Sequence, residues 1–184
     1  MSMEVLQKSV DLMLLNPAPA VTMEFQGGEP LLRFDLIKEG ILYAIERNKM
    51  VGKTITYVIC TNLTPLTDEH LGLFADHNVQ ISTSLDGPAH LHNKNRPICG
   101  GDAYSTVTRN IRRAQDALGA DAVSALMTTS RESLNYPKEI VDEYLALGLS
   151  SMFVRELNPY GYAAKAKQAV GYSTAEFISF YKKM

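Results

Sequence analysis

Strand-like and helix-like segments alternate along almost the whole chain, and this order limits the folds that the chain can adopt. Apolar, β-branched runs recur about every 25 to 40 residues, and each of the first four is followed by apolar residues at helical spacing. Such alternation favours right-handed crossovers and a mostly parallel sheet. Two α/β architectures fit the order: an open doubly wound sheet, or part of a parallel β/α barrel.

The apolar spacing and the helix caps predict the bounds of these elements. Strands are predicted at residues 21–25, 54–59, 79–84, 122–128 and 151–157. Helices are predicted at residues 3–15, 34–47, 68–77, 103–118, 137–147 and 174–184. The predicted helix caps are Thr67, Asp102 and Ser173 at the starts, and Asn78, Gly119 and Gly148 at the ends. Residues 85–102 are predicted to form a binding loop, because connections longer than about 12 to 15 residues usually carry function or are disordered.

Composition and charge argue against several classes of partner. The formal net charge is −2 and no lysine or arginine cluster is present, so the chain has no basic field for gripping the phosphates of a nucleic acid. No apolar run approaches the roughly 20 residues that a membrane span needs, and the N-terminus lacks the pattern of a secretory signal. We therefore expect a cytoplasmic location, with neither nucleic acid nor membrane as a partner.

The cysteines and histidines do not form a metal-binding pattern by spacing. Cys60 stands in an apolar run and is predicted to be a small buried residue, whereas Cys99 lies in a loop and is predicted to be exposed. His90 and His92 are two residues apart, but no carboxylate or cysteine accompanies them. No metal ligand is predicted.

Polar residues gather where the predicted strands end. Ligands bind at the carboxyl ends of parallel strands, so the loops after the strands are expected to share one face. These loops carry Gln26-Gly27-Gly28-Glu29-Pro30, Thr61-Asn62 and Ser84-Leu85-Asp86-Gly87-Pro88, with Arg96 further along the third. Paired glycines admit a close ligand, a carboxylate suits an ammonium group, an arginine fork suits a carboxylate, and Asn, Ser and Asp suit ribose hydroxyls. An amino acid joined to a nucleoside would use all of them.

At these residues the chain resembles the radical S-adenosylmethionine (SAM) superfamily. Within it, the resemblance is to the SPASM-type enzymes that modify ribosomally made peptides and proteins, including the anaerobic sulfatase-maturing enzymes. The motifs are "FQGGEPLL", "TN", "ISTSLDGP" and "NRP", in the order and approximate spacing of that family. The segments "SALMTTSRESLNYPKEI" and "LNPYGYA" further resemble the maturases of His-Xaa-Ser peptide systems.

The resemblance implies a fold and a set of cofactor contacts. The fold is a partial β/α barrel in which residues 1–184 form one truncated core domain, the second to sixth βα units without the first strand. The implied cofactor-binding residues are Gln26, Gly27, Gly28, Glu29, Asn62, Ser84, Asp86, Arg96 and Leu157. The segment 27–29 would hold the methionine ammonium of SAM, Arg96 would meet its carboxylate, and Leu157 would lie against the adenine. Gln26 would line the ammonium pocket, Ser84 would face SAM, and Asn62 and Asp86 would be supporting polar groups. No catalytic acid or base is implied.

The chain departs from the family's pattern in two ways. It lacks the motif CxxxCxxC, whose three thiolates hold a 4Fe–4S cluster, and it lacks the C-terminal cysteine-rich region that carries auxiliary clusters in many peptide-modifying members. The chain has two cysteines, so the expectation is a core fragment without the cluster. In an intact parent, the resemblance implies reductive cleavage of SAM to a 5′-deoxyadenosyl radical that modifies a peptide or protein side chain. The electron donor would be a reduced protein such as a flavodoxin or ferredoxin. The alternative is a cluster-free SAM-binding or interaction module. A third possibility, an ordinary doubly wound nucleotide enzyme, predicts a G-x-G-x-x-G loop, which the sequence lacks.

Each site residue also has a purely structural interpretation. The segment 27–30 is compatible with a tight turn whose glycines supply positive φ and whose Glu29 is a solvated charge. Asp86 is compatible with a local Asx turn, and Arg96 with a surface ion pair to Asp102. Asn62 is compatible with a simple strand end, and Leu157 with the ordinary core.

Overall fold

A computed structural model describes residues 1–158, 160 and 162–184 of the chain. The chain divides into two compact units, Met1–Ser82 and Thr83–Met184. The prediction that residues 1–184 form one core domain stays a prediction. Among the described residues, no helix is long and apolar enough to cross a membrane.

The strands form a single sheet. They are β1 (Ala20–Phe25), β2 (Thr54–Thr61), β3 (Gln80–Ser84), β4 (Val123–Thr128) and β5 (Met152–Arg155). Their order in the sheet is β1-β2-β3-β4-β5, and the pairs β1/β2 and β4/β5 are parallel. The α/β class and the parallel pairing predicted from the alternation of segments are therefore confirmed.

Helices precede, connect and follow the strands. They are α1 (Met3–Leu14), α2 (Phe34–Asn48), α3 (Asp68–Asp76), α4 (Ala89–Asn95), α5 (Ala103–Leu118), α6 (Pro137–Ala146), α7 (Tyr162–Lys165), α8 (Lys167–Val170) and α9 (Thr174–Tyr181). Short 3-10 turns lie at Pro30–Arg33, Ala120–Ala122 and Ser133–Asn135. The prediction that residues 85–102 form one loop is wrong, because this segment contains α4. Leu91 and His92 are its only buried side chains, and so few apolar positions give no helical period in the sequence.

The caps predicted from sequence are confirmed. The side chains of Thr67, Asp102 and Ser173 each accept a backbone N–H in the first turn of α3, α5 and α9. The residues predicted to end helices have positive φ: Asn78 (51°), Gly119 (95°) and Gly148 (68°). The fifth strand ends at Arg155, two residues earlier than predicted, so Leu157 lies beyond it.

The core of the first unit lies on one face of β1 and β2. Parallel pairing places Met23 beside Tyr57 and Phe25 beside Ile59, and all four side chains are buried. Gly40 of α2 approaches this layer closely, since a Cβ there would lie 3.2 Å from side-chain atoms of both Leu6 and Phe25. Burying each such large apolar side chain contributes about 2 kcal/mol to folding.

The opposite face of β1 and β2 is polar and only partly covered. Cys60 is half-buried, so the prediction that it is a buried core residue is wrong. Ile59 and Thr61 are buried on either side of it, and successive strand residues point to opposite faces, so Cys60 faces away from the core. Its thiol donates to Glu24 Oε1 over 3.1 Å. Cys99 is exposed, as predicted.

The core of the second unit forms around α5, α6 and β4. Alternate residues of β4 are buried, namely Val123, Ala125 and Met127. Tyr144 of α6 is also buried, and its hydroxyl donates to the Leu85 carbonyl over 2.6 Å. Burial raises the pKa of this phenol well above its ordinary value. The backbone after β3 is thereby anchored to α6.

Candidate functional site

The first loop of the candidate site follows β1 and contains Gly27 and Gly28. Both glycines are exposed, and a Cβ added at either one would meet no atom within 4 Å. Neither is among the residues with positive φ, so the interpretation that these glycines supply positive φ for a turn is wrong. Their absent side chains instead leave open space next to the backbone, as a close ligand requires.

Glu29 ends this loop and is fixed by three donors. Its Oε1 accepts from the Leu31 amide at 3.1 Å and from the Thr61 hydroxyl at 2.5 Å. Its Oε2 accepts from the Asn62 amide at 2.8 Å. Glu29 is half-buried and joins the loop after β1 to the loop after β2. The interpretation of Glu29 as a solvated surface charge is therefore wrong.

The Gln26 side chain contacts the polar face of the sheet. Its amide Nε2 donates to Glu24 Oε1, the same oxygen that the Cys60 thiol contacts. These three side chains form a small polar group beside the glycine loop. The expected role of Gln26 in lining a ligand pocket stays a prediction.

The loop after β2 turns sharply at Asn62 and Leu63. The Asn62 side-chain oxygen accepts from the Thr64 amide at 2.8 Å and from the Thr64 hydroxyl. Asn62 therefore supports Glu29 through its backbone N–H, while its side chain stabilises the turn. Leu63 has φ of 57° although its side chain is completely buried. Few non-glycine residues adopt this conformation.

In the second unit, Asp86 is a buried carboxylate with an arginine partner. Arg96 donates to it from Nε at 2.8 Å and from Nη2 at 3.2 Å, and the Thr128 amide donates to Oδ1 at 3.0 Å. The Asp86 side chain is 2% exposed and that of Arg96 is 30% exposed. Asp86 thus joins the loop after β3 to the end of β4, and it orients a guanidinium that still reaches solvent.

The proposed pairing of Arg96 with Asp102 is wrong. Asp102 instead caps α5 and accepts from Asn93 Nδ2 at 2.8 Å. Hydrogen bonds from Ser105, first from its hydroxyl and then from its amide, lower the pKa of Asp102 to about 2. The Asx-turn interpretation of Asp86 is also wrong, because its carboxylate accepts from Arg96 and from the Thr128 amide, which are 10 and 42 residues away.

His92 supports the loop after β3 through a hydrogen bond to the Asp86 backbone. Its Nδ1 accepts from the Asp86 amide at 3.2 Å, so the neutral ring carries its proton on Nε2. Burial lowers the pKa of His92. His90 is exposed and packs against the Tyr136 ring. Within residues 1–158, 160 and 162–184, no group of three His, Cys, Asp or Glu side chains could hold a metal ion.

Two further predicted contacts lie at the ends of their strands. Ser84 is the last residue of β3 and is half-buried. Leu157 is also half-buried rather than part of the closed core, and its amide donates to the Tyr172 hydroxyl at 2.7 Å. The expected contacts of both residues with a cofactor stay predictions.

Sequence reasoning missed several residues that build the site. Thr61, His92 and Thr128 hold Glu29 or Asp86 in place, and none was assigned a role. Thr61 stands among the polar residues at the strand ends in the sequence, but no contact with Glu29 is predicted for it. The other two contribute a backbone amide or a ring nitrogen, which motif spacing does not reveal.

Comparison with known proteins defines the class. The sequence pattern of the Radical SAM superfamily matches residues 1–144, so the chain belongs to that superfamily. Among its relatives is the serine-type anaerobic sulfatase-maturating enzyme of Bacteroides thetaiotaomicron, which is 34% identical over 98 residues, 52% of this chain and 23% of that enzyme. The cysteine-type anaerobic sulfatase-maturating enzyme of Clostridium perfringens strain 13 is 29% identical over 107 residues, 58% of this chain and 29% of that enzyme.

A longer match shows how much of its relatives the chain represents. An uncharacterized protein of Methanothermobacter thermautotrophicus is 32% identical over 152 residues, which is 82% of this chain and 55% of that protein. The chain thus spans about half the length of this relative, and less of the two maturating enzymes.

The fold matches solved structures. One is native anSMEcpe with bound AdoMet and Kp18Cys peptide, with a TM-score of 0.87 and 22% identity, covering 100% of this chain and 50% of that one. A second, native anSMEcpe with bound AdoMet, has a TM-score of 0.78 over 86% of this chain. Of the two architectures that the sequence allowed, the partial β/α barrel is therefore confirmed.

Proposed function

We propose that this chain is the SAM-binding core of a radical SAM enzyme that modifies a peptide or protein side chain. Membership of the superfamily, the sulfatase-maturating relatives and the fold shared with an AdoMet- and peptide-bound structure support this proposal. The observation that carries it is Glu29. This carboxylate is fixed by three donors beside a glycine loop with open space.

The residues fit the chemical groups of SAM. A carboxylate has about four acceptor positions, so Glu29 retains one for the methionine ammonium, next to the backbone of Gly27 and Gly28. Arg96, oriented by Asp86 and 30% exposed, suits the methionine carboxylate. The remaining contacts of the proposal are Gln26, Asn62 and Ser84 as polar neighbours and Leu157 against the adenine.

The chemistry of the whole enzyme is part of the same proposal. In the whole enzyme, one electron from the reduced donor would cleave bound SAM to methionine and a 5′-deoxyadenosyl radical, and this radical would take a hydrogen atom from the substrate side chain. The residues described here do not fit an iron–sulfur cluster, since they contain no group of three suitable ligands. The role of this chain is to bind and orient SAM and to exclude competing reactions. The proposal also includes a cytoplasmic location and a flavodoxin or ferredoxin as electron donor. The proposed substrate is a His-Xaa-Ser peptide.

The test is a titration of the isotope-labelled chain with SAM, followed by NMR chemical shifts into the millimolar range. We expect saturable shifts at the amides of Gly27, Gly28 and Asn62. We expect Glu29→Gln to weaken binding about tenfold, because it removes the charge facing the ammonium. Glu39→Gln, on the exposed side of α2, is the matched control and should bind normally. Absence of shifts at the glycine loop in the wild-type chain would refute the proposal.

A further inference from the structure

The turn after β2 holds Glu29 in one orientation. We propose that Thr61 is the positioning residue that orients the Glu29 carboxylate. Its hydroxyl fixes the Glu29 carboxylate so that a single acceptor position, on Oε2, remains for a cationic N–H donor. This inference rests on the proposed function, because the donor that it concerns is the ammonium group of SAM.

The hydrogen bonds of Thr61 define the direction of its hydroxyl. The Leu63 amide donates to Thr61 Oγ1 at 3.0 Å, so Oγ1 acts there as the acceptor. The Thr61 proton is then directed to Glu29 Oε1 at 2.5 Å. Thr61 is 5% exposed, so water has little access to replace this donor. A hydroxyl is required at position 61, since only a hydroxyl both donates and accepts in so little space.

Leu63 shows that the turn is held under strain. Its φ of 57° lies in the left-handed region, which costs a leucine free energy that glycine would not lose. Strained conformations of this kind persist where neighbouring contacts fix them. Here the Leu63 side chain is fully buried and its amide is bound by Thr61. The turn directs the Asn62 amide to Glu29 Oε2 at 2.8 Å.

The acceptor positions of Glu29 can then be counted. Both positions on Oε1 are taken, by Leu31 and Thr61. One position on Oε2 is taken by Asn62, which leaves one. A carboxylate already fixed at three points loses little rotamer freedom when a ligand arrives. Thr61 therefore acts through Glu29, without touching the ligand itself.

The experiment compares three variants of the chain. Thr61→Val keeps the shape and removes the hydroxyl, Thr61→Ser restores a hydroxyl, and Thr67→Val is the control. Thr67 lies in the same unit and caps α3, so Thr67→Val lowers stability without contacting Glu29. Each is measured by urea unfolding, by amide hydrogen exchange at Asn62 and Leu63, and by NMR titration with SAM.

We expect Thr61→Val to weaken SAM binding about tenfold and to speed exchange at Asn62 and Leu63, because the donor that orients Glu29 is lost. Thr61→Ser should recover most of the SAM affinity and most of the protection of the two amides from exchange. Thr67→Val should lose stability and keep its SAM affinity. If Thr61→Val does not fold, Thr61→Cys provides a variant of similar size with a weaker donor, and an intermediate loss of affinity is expected.

Two results would overturn the inference. One is a folded Thr61→Val variant with wild-type SAM affinity. The other is an equal loss of affinity in Thr67→Val, which would attribute the effect to stability. Failure of the proposed function gives a different result: the wild-type chain shows no SAM-dependent shifts. Exchange at Asn62 and Leu63 then decides by itself whether Thr61 fixes the turn, with unchanged exchange in Thr61→Val refuting it.

Discussion

Arg96 and Asp86 form a two-point ion pair in which one partner is buried and the other is partly exposed. Nε and Nη2 of Arg96 donate to the two carboxylate oxygens at 2.8 and 3.2 Å. The Thr128 amide adds a third donor to Asp86, and the Asp86 amide is itself bound by His92. The guanidinium is therefore held in one plane before any ligand arrives, as recognition of a carboxylate requires.

Replacing Asp86, the buried partner of this pair, should lower the stability of the fold. We expect Asp86→Asn to lower the free energy of unfolding by about 3 kcal/mol, because it leaves the guanidinium and the Thr128 amide poorly matched. Chemical denaturation measures this loss. Asp121→Asn, at an exposed carboxylate of the same unit, is the control and should change stability by less than about 0.5 kcal/mol. A loss under about 1 kcal/mol for Asp86→Asn would contradict the importance of the pair.

The planar geometry of the Arg96 guanidinium should contribute more to SAM affinity than its charge does. Arg96→Lys keeps the charge but loses the two-point geometry, so we expect SAM affinity to fall about tenfold in an NMR titration. Arg109→Lys, at an exposed arginine of α5, is the matched control and should bind SAM normally. Equal affinity of Arg96→Lys and wild type would remove Arg96 from the proposed contacts.

The buried His92 should make stability depend on pH. Its pKa is lowered from 6.5, chiefly by burial, so the unfolded chain binds this proton more readily than the folded chain. The stabilisation is complete above about pH 6.5 and is lost as the pH falls from there toward the depressed pKa of the folded state. His92→Gln retains an acceptor for the Asp86 amide and should flatten the loss of stability between pH 7 and pH 5.

Unfolding midpoints in urea across this pH range measure the effect. His90→Gln, at the exposed histidine two residues away, should keep the wild-type slope. Burial also lowers the pKa of His70 in the first unit, so part of the slope will persist in His92→Gln. An unchanged slope in that variant would show that His92 does not contribute.

Two glycines with positive φ differ in the space around them, so their replacement by alanine should have different costs. Gly87 has φ of 123°, and a Cβ there would lie 2.8 Å from Ile140 Cγ1. Gly100 has φ of 64° and a Cβ would meet nothing within 4 Å. We expect Gly100→Ala to cost about 1 kcal/mol from conformation alone. Gly87→Ala should cost about 2 kcal/mol more, from overpacking and from a φ outside the left-handed region that alanine can adopt. Thermal or urea unfolding measures both, and equal losses would contradict the close approach of α6.

Local features were predictable from the sequence, whereas contacts over long distances were not. The caps at Thr67 and Asp102 and the left-handed Asn78 were correct, because the chemistry of each involves only neighbouring residues. Helix α4 was missed because it buries too few side chains to produce a periodic pattern. Cys60 was misplaced because the apolar run hid the alternation of the two sheet faces.

The site shows the same division. The glycine loop, Glu29 and Arg96 were assigned to the candidate site from the order of their motifs, and their contacts with a cofactor stay predictions. Asp86 was expected as a supporting polar group, but its pairing with Arg96 was not predicted, because Asp102 competes as a partner in the sequence. The contact of Thr61 with Glu29 was not predicted either, because the two residues are 32 positions apart. Only the folded chain shows that Arg96 binds Asp86 rather than Asp102, whose role as the cap of α5 the sequence already predicts.

The half-buried Cys60 offers a natural attachment point for a spectroscopic reporter. It directly precedes Thr61, and its thiol lies on the polar face of the sheet beside Glu24. Once the exposed Cys99 is replaced by serine, a small fluorinated tag on Cys60 would be the single label in the chain. Its resonance would follow the state of the turn at Asn62 and Leu63 in real time, without a coupled assay and without any knowledge of the substrate.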